Sequence, residues 1–184
     1  AAMTADKQLF LTSQKDENIL IPTPEDYYAV GTVVKIKQML KIQGDAVRVL
    51  VEGQYRAVMS GIATEEPYIM AEITEAEIVP ADPQEIEVQA LMRSVLYAFD
   101  DYMELNPGIK DEVYELISAI EEPDIFADTV AMQMDSKVTA KQEVLEAFDV
   151  KQRLEIVDRQ ILEENQILAM ERDISERVQE AVKQ

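Results

Sequence analysis

The spacing of apolar residues divides the chain into two parts near residue 80. Before this point, apolar residues alternate with polar ones or form short runs between turn-forming residues, a pattern typical of β-strands. Strands are predicted at residues 7–13, 30–40, 47–51, 55–59 and 68–73. Gly44 and Asp45 predict a turn, and Gly53 and Gln54 predict a tight hairpin between the third and fourth strands. Such short strands indicate a small antiparallel barrel or sandwich.

After Pro80, apolar residues recur every three or four positions, as they do in amphipathic helices. Helices are predicted within residues 86–99, 113–120, 123–134 and 137–148. From Val150 to Gln184 the chain contains neither glycine nor proline. The apolar residues of this last segment form a narrow stripe, and its other faces carry charges of both signs. A single long helix is therefore predicted at the end of the chain.

This terminal helix has a length of roughly 50 Å at about 1.5 Å per residue. It is too long to lie on so small a domain, so a projecting coiled-coil arm or connector is favoured over a helix folded back into a bundle. The predicted fold class is α+β, in three segments. They are a strand-rich subdomain (residues 1–80), a helical bundle (81–148) and the long helix (149–184).

The net charge of −20 is the most informative global property of the chain. Nucleic acids and anionic membranes both require a basic surface, so neither is expected as a partner. No apolar run reaches the length of about 18 residues needed to span a membrane, and residues 1–6 lack the features of a signal peptide. The acidic surface either serves solubility alone or also favours cationic partners.

Histidine and cysteine are both absent, which excludes Ser-His-Asp and Cys-His catalysis within this chain. A zinc site built from carboxylates alone is rare, and no phosphate-binding glycine loop or calcium loop occurs. Adjacent carboxylates, as at Asp100 and Asp101, arise by chance in so acidic a chain. An enzyme is the least favoured class, and no catalytic residue, cofactor or metal is predicted.

Two kinds of residue are candidates for contacts with a partner. The nine methionines are gap-filling core residues by default, and an adaptable peptide-binding surface is the alternative. Tyr27 and Tyr28 follow a proline-containing segment, and they either pack beneath the sheet or offer exposed stacking area. We select these two tyrosines as the candidate partner contacts.

Several segments, in their order and spacing, resemble the N-terminal domain of bacterial Lon proteases. In the strand-rich half these are residues 14–16 (QKD), 30–36 (VGTVVKI), 39–41 (MLK), 47–53 (VRVLVEG) and 56–57 (RA). In the helical half they are residues 90–93 (ALMR), 122–123 (EP), 127–128 (AD), 141–146 (KQEVLE) and 153–155 (RLE). The resemblance covers essentially the whole chain, and the Leu-Val-Glu-Gly segment with its trailing arginine is its most specific part.

The resemblance implies a PUA-like strand-rich subdomain and a helical subdomain that recognise protein substrates without catalysing a reaction. It implies unfolded or tagged protein clients, a cytoplasmic location and a homo-hexamer that the long helix helps to assemble. The AAA+ motor, with its ATP and Mg, and the Ser-Lys protease dyad belong to other domains of such proteins. The family's first strand also has no counterpart here, so we expect the sheet to lack it.

Four residues of the resembling segments are assigned structural roles. Gly31 is predicted to supply a bend, and Gly53 a turn with positive φ. Glu52 and Arg56 flank the predicted hairpin and are predicted to pair across it, so that Arg56→Ala would loosen the hairpin. Two other classes of function remain open: a free-standing small-barrel module that binds a ligand or protein, and a purely structural oligomerisation module.

Overall fold

The computed structural model describes residues 6–183 and divides the chain into two compact units, Ala1–Glu77 and Ile78–Gln184. The outermost residues of the first and third predicted segments, 1–5 and 184, lie outside the described residues. The first unit is built from strands and the second from helices. The predicted α+β class, with strands first and a long helix last, is confirmed.

The first unit, called the sheet unit below, contains four strands among its described residues. They are β1 (Gln8–Leu11), β2 (Val30–Lys41), β3 (Val47–Thr64) and β4 (Met70–Glu75), and a 3₁₀ turn at Pro24–Asp26 precedes β2. All neighbours are antiparallel in the order β1-β2-β3-β4, so that β1 and β4 form the edges in residues 6–77. The exposed side chains of Glu72 and Glu75 lie on β4.

The predicted hairpin at Gly53 is wrong, because β3 continues through this residue and pairs with β2 on both sides of it. Val33 pairs with Tyr55 and Val34 pairs with Gly53, which leaves Gln54 as an extra, bulged residue. Among the described glycines only Gly44 has a positive φ, of 76°. The predicted turn at Gly44 is therefore confirmed, and there the Ile42 amide donates to the Ala46 carbonyl at 3.0 Å.

The second unit, called the helical unit below, contains five α-helices in its described part. They are α1 (Ile86–Leu105), α2 (Asp111–Ser118), α3 (Pro123–Gln133), α4 (Val138–Glu146) and α5 (Val150–Val182). The core is formed mainly by α1, α3 and α5, and its completely buried side chains include Phe99, Phe126 and Leu154. This unit folds around one continuous hydrophobic cluster.

The last helix, α5, has 33 residues and two regions of different burial. Its buried side chains end at Ile161, and the first turn is capped by Asp149, whose carboxylate accepts from the Gln152 amide at 3.0 Å. Beyond Ile161 the partly buried Leu168 still packs against the core. A separate stripe of apolar residues occupies exposed positions: Ile167, Met170, Ile174, Val178 and Val182. The helix therefore contributes to the core as far as Leu168, and this stripe does not.

A buried arginine joins α5 to its neighbours. The Arg153 side chain is 1% exposed, and its Nε donates to the Ala147 carbonyl at 3.0 Å. Its Nη1 donates to the Asp128 carboxylate of α3 at 3.3 Å. Asp128 is 42% exposed, so this ion pair connects the interior of the helical unit to its surface.

Candidate functional site

An apolar groove of about 630 Å³ lies on one face of the sheet unit. It is formed by β1, β3 and β4, by one residue of β2 and by the segments that precede β2 and β4. The lining side chains are mostly aliphatic, aromatic or methionine. They are Leu9, Phe10, Leu11, Tyr27, Val33, Tyr55, Met59, Ile62, Tyr68, Ile69, Met70, Ala71 and Ile73, with Asp6, Gln8 and Thr12 as the polar members.

The strand register explains how these residues share one face. Phe10 is opposite Val33, and Val33 is opposite Tyr55, so one row of side chains crosses three strands. Met59 is opposite Ile73 in the same manner. After Met59 the β3–β4 register shifts by one residue, which puts Ile62 in the groove where strict alternation would turn it away.

Gly31 lies beneath this row, buried within β2 and opposite Ala57. A Cβ atom on Gly31 would come within 2.3 Å of the Leu11 carbonyl oxygen and 2.7 Å of the Phe10 ring. The predicted bend is therefore wrong, because Gly31 continues a paired strand. The absence of a side chain is what this position requires, since it lets β1 and Phe10 approach β2 closely.

A second lobe of about 390 Å³ adjoins the groove. It shares Tyr27, Ile62 and Ile69 with the first lobe, so the two form one continuous apolar surface. Its other lining residues are Ile21, Pro22, Thr23, Pro24 and Glu65. This geometry suits an extended chain that contacts both lobes.

Few apolar side chains of the sheet unit are buried, whereas several that line the groove are exposed. In residues 6–77 the fully buried apolar side chains are Val33, Val34, Ile36 and Ala57. Tyr68, Ile69 and Met70 of the groove are each about half exposed, with Ile69 at 59%. A continuous exposed patch of this kind is typical of a binding surface.

The two candidate tyrosines have different positions. Tyr27 is partly buried and lines both lobes of the groove. Tyr28 is not among the lining residues. Its backbone holds the adjoining segments together, because its carbonyl accepts from the Thr12 hydroxyl at 2.7 Å and its amide donates to the Ser13 carbonyl at 3.0 Å.

The predicted pairing of Glu52 with Arg56 is wrong. The two residues lie four positions apart on one extended strand, which separates them by about 13 Å at about 3.3 Å per residue. Glu52 instead pairs across the sheet with Lys37, at 3.2 Å between Oε2 and Nζ. The hydrogen bond from Lys37, followed by that from Gln54, holds the pKa of Glu52 below its ordinary value. Arg56 lies opposite Thr32 on β2.

Most groove residues were not selected from the sequence, although their strands were predicted. Val33, Tyr55 and Ile73 lie in predicted strands. Tyr55 and Ile73 each stand between two polar neighbours, and such alternation is the signal that marks one face. Met59 and Ile62 share that face only because of the register shift between them, which no local pattern encodes.

The groove offers apolar contact and no evident reaction chemistry. The described residues contain no group of three or more His, Cys, Asp or Glu side chains placed to hold a metal ion. No helix among them is long and apolar enough to cross a membrane. This face can bury the apolar side chains of a partner away from water.

Comparison with known proteins places the two-unit fold in a class of substrate-binding domains. The chain belongs to the family described as ATP-dependent protease La (LON) substrate-binding domain, whose sequence profile matches residues 1–163. The resemblance predicted from the sequence is therefore confirmed. Because the family profile describes a substrate-binding domain, the chain corresponds to that part of Lon proteases and not to their catalytic part.

Individual relatives agree with this assignment. The chain is 40% identical over 181 residues to the Lon protease of Clostridioides difficile, covering 96% of the chain and 23% of that protein. It is 41% identical to the Lon protease of Clostridium acetobutylicum, covering 98% and 23%. It thus spans just under a quarter of the length of these relatives.

A solved structure supports the fold. The N-terminal domain of the Mycobacterium avium complex Lon protease matches with a TM-score of 0.67 and 22% identity, covering 88% of this chain and 81% of that one. At this identity the likeness concerns the fold alone.

Proposed function

We propose that the sheet unit binds apolar segments of unfolded or tagged proteins in its two-lobed groove. The observation that carries this proposal is the continuous apolar surface through the partly buried Tyr27 and Ile62 and the exposed Ile69, on a chain that belongs to a substrate-binding family. Folded proteins bury such side chains and unfolded ones expose them, so an apolar groove distinguishes the two states. Of the two tyrosines selected from the sequence, Tyr27 lines the groove and is the proposed client contact.

The expected affinity of one groove is modest. Full burial of one large apolar side chain contributes about 1.5–3 kcal/mol, and part of this is offset by the ordering of a flexible client. A groove that holds two such side chains therefore has a Kd of roughly millimolar, and of tens of micromolar at best. Several grooves acting on one client would raise the overall affinity without any new contact.

The proposal also covers the part that this domain plays within a full-length Lon protease. Lon relatives are more than four times as long as this chain, and the resemblance implies an AAA+ motor that uses ATP and Mg and a serine protease dyad in their remaining length. In such a cytoplasmic protease, this domain would hold the client while the motor engages it. Neither ATP hydrolysis nor peptide cleavage is assigned to the residues of this chain.

A second role, in hexamer assembly, is supported by α5. Its exposed apolar residues Ile167, Met170, Ile174, Val178 and Val182 follow a spacing of three or four residues. This spacing forms one narrow stripe, which is the pattern of helices that pair side by side. We therefore propose that this stripe packs against another subunit in the assembled protein.

The client-binding proposal is tested with Ile69→Ser, which changes a residue that belongs to both lobes. Fluorescence anisotropy with a labelled, permanently unfolded polypeptide should give saturable binding to the unchanged protein and about tenfold weaker binding to the variant. Leu50→Ser is the matched control, because Leu50 is 60% exposed on the same sheet and outside the groove. Equal affinity of all three proteins, or equal binding of a folded control of the same charge, would contradict the proposal.

The assembly proposal is tested with Ile174→Asp and Val178→Asp together. Sedimentation velocity should show a concentration-dependent oligomer for the unchanged protein and a monomer for this variant, because charges in an apolar seam are left unpaired on association. Ser175→Asp with Gln179→Asp adds the same charge beside the stripe and should leave the oligomer intact. A monomer at every concentration of the unchanged protein would refute assembly through α5 alone.

A further inference from the structure

The charged residues of the groove are all of one sign. In the described part of the chain, the two lobes are lined by two charged side chains, Asp6 in the first and Glu65 in the second. Among residues 6–183, no lysine or arginine lines either lobe. The groove is therefore an apolar surface with one carboxylate in each lobe.

The remaining charges of the sheet unit add to the same potential. Residues 6–77 carry twelve Asp or Glu and seven Lys or Arg side chains, so a polypeptide that approaches the groove enters a negative field. This field falls off over about 8 Å at physiological ionic strength, so the carboxylates nearest to a bound segment have the largest effect. Asp6 and Glu65 are the carboxylates that line the two lobes themselves.

We propose that the groove selects among unfolded segments by charge, and that it binds extended apolar segments interspersed with lysine or arginine in preference to equally apolar segments that carry carboxylates. The inference rests on the proposed function, because it requires the groove to bind clients. The shared residues Tyr27, Ile62 and Ile69 make the two lobes continuous, so one extended segment meets both carboxylates.

The size of the preference follows from the strength of exposed ion pairs. Each such pair changes affinity by a factor of a few at most, and salt weakens it. With one carboxylate in each lobe and the general field in addition, a basic peptide should bind about tenfold tighter than an acidic one at low ionic strength. The apolar contacts would supply most of the affinity, and the charges would decide between clients of equal apolarity.

Three labelled peptides test this inference on the whole chain. They carry identical apolar residues and differ only at the intervening positions, which are Lys, Gln or Glu. Anisotropy titrations at about 0.01 M and about 1 M ionic strength span Debye lengths from about 30 to 3 Å. The expected order of affinity is Lys, then Gln, then Glu at low salt, and the three values should converge at high salt.

A variant pair locates the effect. Glu65→Gln should reduce the preference for the Lys peptide about threefold, because it neutralises a carboxylate that lines the groove. Glu66→Gln is the matched control, because the neighbouring exposed Glu66 is not a lining residue and carries the same charge. Far-UV circular dichroism verifies that both variants remain folded.

The possible outcomes separate the two proposals. If none of the peptides binds, the proposed function fails and the inference fails with it. If all three bind with equal affinity at low salt, client binding stands and charge selection is overturned. An equal loss of preference in both variants would also overturn it, because the groove carboxylate would then have no special part. If the affinity of every peptide falls as the chain self-associates, the occupant is a second copy and the inference is wrong.

Discussion

Gly31→Ala is expected to lower the free energy of unfolding of the sheet unit by about 2–3 kcal/mol, near the upper end for an overpacked core position. The added Cβ would meet the Leu11 carbonyl oxygen at 2.3 Å and the Phe10 ring at 2.7 Å. The carbonyl is backbone of β1, so relief of the clash requires β1 to move away from β2. Because Phe10 lines the groove, client binding should weaken in the same variant.

Gly53 and Gly61, which both lie on β3, provide controls for this prediction. A Cβ on Gly53 would meet only the Thr32 methyl group at 3.7 Å, and one on Gly61 would meet nothing within 4 Å. Both alanine variants should be neutral or stabilising by up to about 1 kcal/mol, because alanine restricts the unfolded chain. Amide hydrogen exchange of β2 and β3 gives the local free energies, with peptides of the helical unit as an internal reference. If Gly53→Ala destabilised the sheet as much as Gly31→Ala, the assigned close approach would be wrong.

Arg153→Ala is expected to destabilise the helical unit by about 2–3 kcal/mol, through a cavity and the loss of buried hydrogen bonds. The substitution removes the donor to the Ala147 carbonyl and the contact with Asp128. Loss of one partner of a fully buried ion pair costs about 3–5 kcal/mol. The smaller value applies here because Asp128 is 42% exposed and can regain water.

Arg153→Lys should recover little of this stability. A lysine ammonium lacks the separate Nε and Nη donors that reach Ala147 and Asp128 at the same time. Arg177→Ala is the control, since Arg177 is 65% exposed and pairs with Asp173 one turn away, and it should change stability by less than about 0.5 kcal/mol. Exchange protection of α1 and α5 measures all three variants. Full stability in Arg153→Lys would show that charge alone matters at this position.

The helical unit could be predicted well because its determinants are local. Val88, Val95, Phe99 and Tyr102 recur at helical spacing and are all buried on α1, and proline and glycine mark the break that follows. The long α5 follows from the absence of any helix breaker after Val150. The burial of Arg153 does not follow from such patterns, because its partners Ala147 and Asp128 come from two other segments of the chain.

The sheet unit could be predicted only in part because its determinants are not local. Judged by its polar neighbours alone, Gly53 favours a turn, yet β2 pairs with β3 on both sides of Gly53 and requires an extended backbone there. The groove depends even more on the register. Phe10, Val33 and Tyr55 meet across three strands, and each is separated from the next by more than twenty positions in sequence. The family could therefore be predicted from the sequence, whereas the position of the groove depends on strand pairing.

The position of β4 at an edge of the sheet has a consequence for the behaviour of concentrated solutions. An edge strand beside an exposed apolar face is a template on which a second molecule can add a strand, which is a common start of aggregation. Two copies that paired along β4 would bring the carboxylates of Glu72 and Glu75 from both molecules close together. Like charges directly opposite each other destabilise a strand pair, so we expect these two glutamates to oppose the stacking of one molecule on another through β4.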